Sequence, residues 1–200
     1  EFVPHGSPVV CIDRAPENDL GFPHVGSDNI GGGYMATEHL IERGCKNILS
    51  ISSFTANYPG NERQMGYERA LAAHGMPLCR DYQLFVSGKQ PSIIESEELV
   101  TDFLSTGCPF DGIFAHSDHA AVGALRALVA AGKRVPEDVR LIGFDDSVYA
   151  QIPTPQISTI RRFPERLAHE GCQALLALLR GEKPEMETLV PVKLVQRASS

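Results

Sequence analysis

Long apolar runs are missing from this sequence of 200 residues. No stretch approaches the ~20 consecutive apolar residues that a membrane-spanning helix needs. The first residues also lack the basic end and the apolar stretch of a secretion signal, and a strand-like segment follows almost at once, as in a chain entered midway. We therefore expect no association with a membrane.

An excess of basic residues is missing as well. The 18 lysines and arginines stand against 25 aspartates and glutamates, which gives a formal net charge of −7. A protein that holds the phosphate backbone of nucleic acid needs a basic face. The sequence therefore predicts that this chain alone does not bind DNA.

Paired cysteine motifs are absent. The cysteines are odd in number and widely spaced: Cys11, Cys45, Cys79, Cys108 and Cys172. This pattern favours reduced thiols over a disulfide or zinc framework, and reduced thiols are typical of the cytoplasm. The histidines are not at metal-ligand spacing with any cysteine, so no metal or other cofactor is expected.

Catalytic signatures are missing too, since the sequence has no GxSxG, no HExxH and no complete Walker loop. Gly31–Ala36 fits the dinucleotide pattern GxGxxA, but polar residues precede it where that motif needs a hydrophobic strand. We interpret these glycines as positions that let the start of a helix lie close to neighbouring backbone. Nothing resembles a nucleophile with its base, so the protein is predicted not to be an enzyme.

The sequence does contain a repeated unit, in which a short buried strand is followed by a helix that stops at a glycine. Helices are predicted at Tyr34–Arg43, Asn61–His74, Ser92–Thr106, Asp118–Ala131 and Pro164–Arg180. Strands are predicted at Val9–Asp13, Asn47–Ser52, Tyr82–Val86, Asp111–Ala115, Arg140–Phe144 and Ile157–Ile160. This alternation predicts an α/β fold of doubly wound parallel sheets.

Polar residues gather where the predicted strands end, and in open α/β sheets ligands bind at that edge. The apolar strand that ends at Phe144 runs into Asp145 and Asp146. Successive residues point in opposite directions there, so we expect Asp145 to face a ligand and Asp146 to order the loop. The alternative is that both are solvated turn residues.

Similar groups follow other strands, at Asp13-Arg14, Asn61–Arg63 and Ser117-Asp118. Arg63 is predicted either to clamp a ligand with its fork of donors or to pair with Glu62 or Glu68. Asp118 is predicted to be a helix N-cap, with Ser117 free to face a cleft. One carboxylate with arginines and neutral polar groups suits a small polyhydroxylated or anionic ligand.

An ordered set of motifs carries a resemblance to a known family. The motifs are Pro8–Arg14, Asp28-Asn29 with Gly33–Ala36, His39–Gly44, Arg63–Tyr67, Asp118 with Gly123, Val135–Val139, Ile142–Asp146 and Pro155–Ile160. Together they resemble the lactose/galactose repressor (LacI/GalR) family of bacterial transcription regulators. The resemblance covers nearly the whole chain.

The resemblance implies a periplasmic-binding-protein-like architecture of two lobes with a cleft between them. It assigns residues 29–156 and 187–200 to the C-terminal lobe, and residues 1–28 and 157–186 to an N-terminal lobe that is incomplete in this chain. It puts the crossings between the lobes near Asp28-Asn29, Thr154–Gln156 and Glu185–Leu189. The family's DNA-binding headpiece has no counterpart here, so operator DNA would be reached only through a headpiece missing from this chain.

The resemblance also implies a function, which is to sense a sugar-like effector as a cytoplasmic repressor. The effector contacts that it implies are Asp13, Arg14, Asn61, Arg63, Ser117 and Asp145. It implies a homodimer, for which the apolar faces of the helices after Asp118 and in Pro164–Arg180 are candidates. The alternative is a periplasmic sugar-binding protein of a transport system.

Overall fold

Helices and strands alternate along the chain in the computed structural model, which describes residues 7–15, 21–53 and 59–200. The strands are β1 (Cys11–Ile12), β2 (His24–Ser27), β3 (Ile48–Ser53), β4 (Gln83–Val86), β5 (Gly112–Ala115), β6 (Arg140–Asp145), β7 (Ser158–Arg161), β8 (Glu187–Val190) and β9 (Lys193–Val195). The helices are α1 (Asn29–Glu42), α2 (Pro59–Ala73), α3 (Ser92–Ser105), α4 (Asp118–Ala130), α5 (Val148–Gln151) and α6 (Pro164–Leu179). Within the described ranges, no helix is both long enough and apolar enough to span a bilayer.

The chain forms two compact units. The larger unit comprises residues 29–162 and 192–200, and its sheet has the order β4-β3-β5-β6-β7-β9, parallel except for the pairing of β9 with β7. The smaller unit comprises residues 1–28 and 163–191, and its described strands form a parallel sheet in the order β1-β2-β8. The predicted α/β fold with parallel sheets is confirmed.

Strand pairing corrects two of the predicted domain boundaries. Residues 157–186 were assigned to the N-terminal lobe, but β7 pairs with β6 from Ile142↔Ser158 onward and therefore lies in the larger unit. Residues 187–200 were assigned to the C-terminal lobe, but β8 pairs with β2 from His24↔Glu187 to Ser27↔Val190, so only residues 192–200 of this segment lie in the larger unit. The chain passes between the units after Asp28, after Arg162 and after Pro191.

Hydrophobic residues fill both faces of the larger sheet, as the alternation of side chains along buried parallel strands requires. In β5, Ile113 lies in the core that α3 and α4 cover, while its neighbour Phe114 lies in the core that α1 and α2 cover. Both side chains are at most 1% exposed. Because helices cover both faces, the ends of the strands are where polar residues of the sheet can reach solvent.

Glycines allow the two helices on one face to touch. Helix α1 begins at Asn29, earlier than the predicted start at Tyr34, so the glycine run lies within its first turns. A Cβ atom at Gly33 would lie 2.1 Å from the carbonyl oxygen of Arg63 in α2, and one at Gly66 would lie 2.2 Å from that of Ile30. The interpretation of Gly33 as a site of close backbone approach is confirmed.

This contact generates a stability prediction. Gly33→Ala should lower the free energy of unfolding by about 1–3 kcal/mol, because the added methyl group must push two backbones apart. Urea denaturation measures the change. Glu42→Ala, at the exposed end of the same helix, is the control and should shift stability by less than about 0.5 kcal/mol. A Gly33→Ala variant as stable as the control would contradict the close packing.

Candidate ligand-binding site

Helix α2 carries the Arg63 guanidinium, 3% exposed, to the carboxyl ends of β5 and β6. Its Nε donates a hydrogen bond to Asn29 Oδ1 at 2.9 Å, and a terminal nitrogen donates to the carbonyl oxygen of His116. The guanidinium carbon lies 3.7 Å from the centroid of the Phe144 ring. A buried charge needs such partners, since desolvation otherwise costs several kcal/mol.

The residues around Arg63 have structural partners of their own. Glu62, one of the two carboxylates named in the alternative prediction, accepts a hydrogen bond from Asn29 Nδ2 at 2.8 Å. The other, Glu68, accepts one from Gln64 at 3.3 Å. The His116 ring is 4% exposed with Nδ1 3.1 Å from the Ile51 carbonyl oxygen, and burial together with the nearby Arg63 charge lowers its pKa to about 4.

Asp145 brings a carboxylate to the same place. It is the last residue of β6, and its side chain is 31% exposed. Its Oδ1 lies 3.6 Å from a terminal nitrogen of Arg63 and 3.5 Å from one of Arg162. A partly exposed carboxylate between two guanidinium groups offers hydrogen-bond acceptors and donors within one small region.

Arg162 was not predicted as a site residue. It directly follows β7, the parallel neighbour of β6, so its position after that strand could have indicated it. The carboxyl ends of neighbouring parallel strands meet at one edge of the sheet. The prediction missed it because strand pairing between β6 and β7 was not recognised.

The backbone around Asp145 is unusual. In the described part of the chain, three residues other than glycine have positive φ: Asp13 at 71°, Asp145 at 111° and Asp146 at 56°. Such conformations cost of order 1–3 kcal/mol each, persist where the surroundings enforce them, and cluster at ligand sites. Each of these aspartates lies at the end of a strand.

Asp146 has the ordering role that the sequence favoured for it. Its side chain is 5% exposed, and its two carboxylate oxygens lie 2.5 Å from Arg161 Nε and from a terminal nitrogen of Arg197. These ion pairs join the loop after β6 to β7 and to the C-terminal segment. Both carboxylate oxygens of Asp146 are therefore bound by arginines of the fold, whereas the Asp145 carboxylate is partly exposed to solvent.

The prediction that Asp118 caps α4 is wrong. Ser117 is the N-cap, with extended backbone and with its Oγ accepting a hydrogen bond from the Ala120 amide at 3.2 Å. Asp118 is fully buried, and its carboxylate instead accepts three hydrogen bonds from Ser147 and Thr159. Burial raises the pKa of Asp118 to about 6, although those hydrogen bonds act in the opposite direction.

The remaining predicted residues divide between the units. Asn61 is half-buried in the first turn of α2, two positions before Arg63. Asp13 and Arg14 directly follow β1 in the smaller unit, and the Asp13 amide donates to the Val25 carbonyl oxygen at 2.9 Å. The structure thus brings Arg63 and Asp145 together at one sheet edge.

Two further observations concern other kinds of site. Within residues 7–15, 21–53 and 59–200, no three potential metal-binding side chains come together. All five cysteines have free thiols.

Comparison with known proteins identifies the family. The model of the periplasmic binding protein-like domain matches residues 37–200, most of the chain. The chain belongs to this periplasmic binding protein-like family. A regulatory protein of the LacI family from Chloroflexus aggregans has the same fold, with a TM-score of 0.86 and 28% identity over 96% of this chain and 68% of that one. The resemblance to LacI-family regulators is confirmed.

Two kinds of curated protein are similar to this periplasmic binding protein-like chain. The transcriptional regulator CelR of Thermobifida fusca is 35% identical over 95% of this chain and 54% of its own length. A solved complex of a regulator CelR with cellobiose matches with a TM-score of 0.82 and 33% identity, over 90% of this chain and 56% of that one. The ribose import binding protein of Escherichia coli is 29% identical over 94% of this chain and 62% of its length. The chain spans little more than half the length of these regulators.

The two adjacent aspartates are expected to differ in their effect on stability. Asp146→Ala should lower the free energy of unfolding by about 1.5–3 kcal/mol, because it removes charge-assisted hydrogen bonds to Arg161 and Arg197. Asp145→Asn should change it by less than about 1 kcal/mol, since asparagine tolerates positive φ, its amide oxygen still accepts hydrogen bonds, and Arg63 keeps its partners Asn29 and His116. Urea denaturation of both variants measures the free energy of unfolding, and equal decreases in the two variants would contradict the assigned roles.

Proposed function

We propose that this chain is the ligand-sensing part of a transcription regulator, and that Arg63, Arg162 and Asp145 bind its ligand. The observation that carries the proposal is the Asp145 carboxylate, held in a left-handed backbone conformation and 31% exposed beside two guanidinium groups. Asn61 and Ser117 are proposed as further contacts in the same unit. Asp13 and Arg14, which directly follow β1 in the smaller unit, stay predictions from the family resemblance.

The chemistry of these groups suits a sugar-like molecule. A carboxylate accepts two hydrogen bonds from adjacent hydroxyl groups, and a guanidinium donates a fork of hydrogen bonds to hydroxyl or anionic oxygens. Nothing in this set acts as a nucleophile with a base, and the named relatives are regulators and import binding proteins. Binding without turnover is therefore the proposed activity. Cellobiose and ribose, which occur in the names of relatives, are the first probes.

An import binding protein is the alternative within the same fold. Two observations favour the regulator: the identity to CelR, 35%, exceeds that to the ribose import protein, 29%, and all five cysteines are free thiols. Free thiols suit the reducing cytoplasm, which is the location we propose. Because the chain carries a net charge of −7, contact with operator DNA is assigned to parts of the polypeptide outside it.

We also propose that the protein is a homodimer. The predicted dimer face on α4 needs correction, because Leu125 and Leu128 are buried against the sheet and Val129 is the large apolar side chain that α4 exposes. Apolar side chains are instead exposed around α5, where Val148 is 57% and Ile152 72% exposed, and on α6, where Leu176 and Leu179 are exposed. Exposed apolar patches of this kind are typical of symmetric interfaces.

Calorimetric titration of the whole protein tests the ligand site. The protein should bind cellobiose, ribose or a related sugar, and Asp145→Asn should weaken that binding roughly tenfold or more, because ligand hydroxyl groups lose a charged acceptor. Asp102→Asn, which changes an exposed carboxylate on α3, is the matched control and should bind like the wild type. Binding that is unaffected by Asp145→Asn would contradict the site, and absence of binding across a sugar panel would contradict the function.

Sedimentation of the whole protein tests the dimer. It should sediment as a dimer at tens of micromolar, and Ile152→Asp should shift it toward the monomer, because a charge in an apolar interface is desolvated without a partner. Leu78→Asp introduces the same charge at another exposed apolar position, 49% exposed, and should leave the dimer intact. A wild-type protein that remains monomeric under these conditions would refute the proposal.

A further inference from the structure

A buried carboxylate lies directly beneath the loop that carries Asp145. Asp118, the first residue of α4, has no exposed surface. Its Oδ2 accepts hydrogen bonds from the Ser147 amide at 2.6 Å and from the Ser147 hydroxyl at 2.9 Å. Its Oδ1 accepts one from the Thr159 hydroxyl at 2.6 Å. None of these groups belongs to the proposed ligand contacts.

These hydrogen bonds fix the two amides that follow Asp145. The Ser147 amide is bound directly by Asp118. The Asp146 amide donates to Thr159 Oγ1 at 3.3 Å, and that hydroxyl is itself oriented by Asp118. Because Asp145 and Asp146 both have positive φ, the surroundings must hold this backbone against its preference for other conformations.

Strand β6 is shaped to receive the carboxylate. A Cβ atom at Gly143 would lie 2.6 Å from Asp118 Oδ1, so only glycine leaves room for Asp118 at this position without a shift. The side chain thus contacts the strand two residues before Asp145, β7 through Thr159, and the loop through Ser147. It links the three segments that determine where the Asp145 carboxylate points.

We propose that Asp118 is a positioning residue for the ligand site, holding through Ser147 and Thr159 the backbone that aims the Asp145 carboxylate. The effect of Asp118 on ligand binding rests on the function proposed above. Asp118 itself is fully buried and reaches no ligand, so it acts only through the loop.

The charge state of Asp118 should then affect binding. When ionised, its carboxylate accepts all three hydrogen bonds, whereas when protonated it loses one acceptor position. Burial raises its pKa to about 6, and the Asp145 charge acts in the same direction. Ligand affinity is therefore expected to fall as the pH is lowered from 7 to 5, because Asp118 becomes protonated in this range. Of the charged groups, Asp145 on β6 acts on Asp118 directly. Asp146, with its partners Arg161 and Arg197, lies next to Ser147 in the loop, and His119 follows Asp118 in α4.

Two variants separate positioning from general stability. Asp118→Asn keeps the shape and mimics the protonated acid, while Thr159→Val removes the hydroxyl that joins Asp118 to the Asp146 amide. Tyr67→Phe is the control, because it removes a buried hydroxyl that donates to the Ile48 carbonyl oxygen at 2.8 Å, at the start of β3. Each of the three should lower the melting temperature by a few degrees.

The first measurement is calorimetric titration of the whole protein between pH 5 and 7, with whichever sugar of the panel, beginning with cellobiose and ribose, the wild type binds. Asp118→Asn and Thr159→Val should weaken binding roughly tenfold at pH 7. Asp118→Asn should also abolish the pH dependence and equal the wild type at low pH. Wild-type affinity and pH profile in both variants, or an equal loss in Tyr67→Phe, would overturn the proposal.

The second measurement needs no ligand. The backbone amide NMR shifts of Asp146 and Ser147, which Thr159 and Asp118 bind, should change with pH around 6 in the wild type and lose this transition in Asp118→Asn. If no sugar of the panel binds the wild type but these shifts behave as expected, the proposed function fails and the positioning role stands. If the shifts are the same in Asp118→Asn and the wild type at every pH, the positioning role fails whatever the protein binds.

Discussion

The buried guanidinium of Arg63 is the constraint on which the larger unit depends. Its partners come from α1, from the end of β5 and from β6, so it stays buried only while those elements converge. Convergence requires α1 and α2 to approach to backbone contact, which Gly33 and Gly66 permit. A residue suited to ligand recognition is thus rigid before any ligand arrives, and rigidity lowers the entropic cost of binding.

Three aspartates near the end of β6 show how environment separates the roles of identical side chains. Asp118 is fully buried and bound by neutral donors, Asp146 is neutralised by two arginines, and Asp145 is partly exposed. The first two stabilise a backbone conformation that the third needs. The family provides the fold, but these contacts, rather than the fold, support the assignment of a ligand to Asp145.

Much of the fold was predictable from the sequence, because β3 to β6 are short apolar runs and the helices between them stop at glycines. The start of α1 was missed because glycines disfavour helix, and the packing of Gly33 against α2 outweighs that propensity. The unit boundaries and the role of Arg162 depend on pairing between distant strands, which local patterns do not encode. Asp118 was taken for the cap because serine and aspartate both cap well, and the choice depends on tertiary contacts of Asp118 with Ser147 and Thr159, which the local sequence does not show.

A crystal structure of the whole protein with a bound sugar tests the ligand assignment most directly. A sugar hydroxyl group should lie within hydrogen-bonding distance of the Asp145 carboxylate, with Arg63 donating to the same molecule and Asp146 still paired with Arg161 and Arg197. A sugar bound away from Asp145, or one contacting Asp146 in its place, would contradict the assignment.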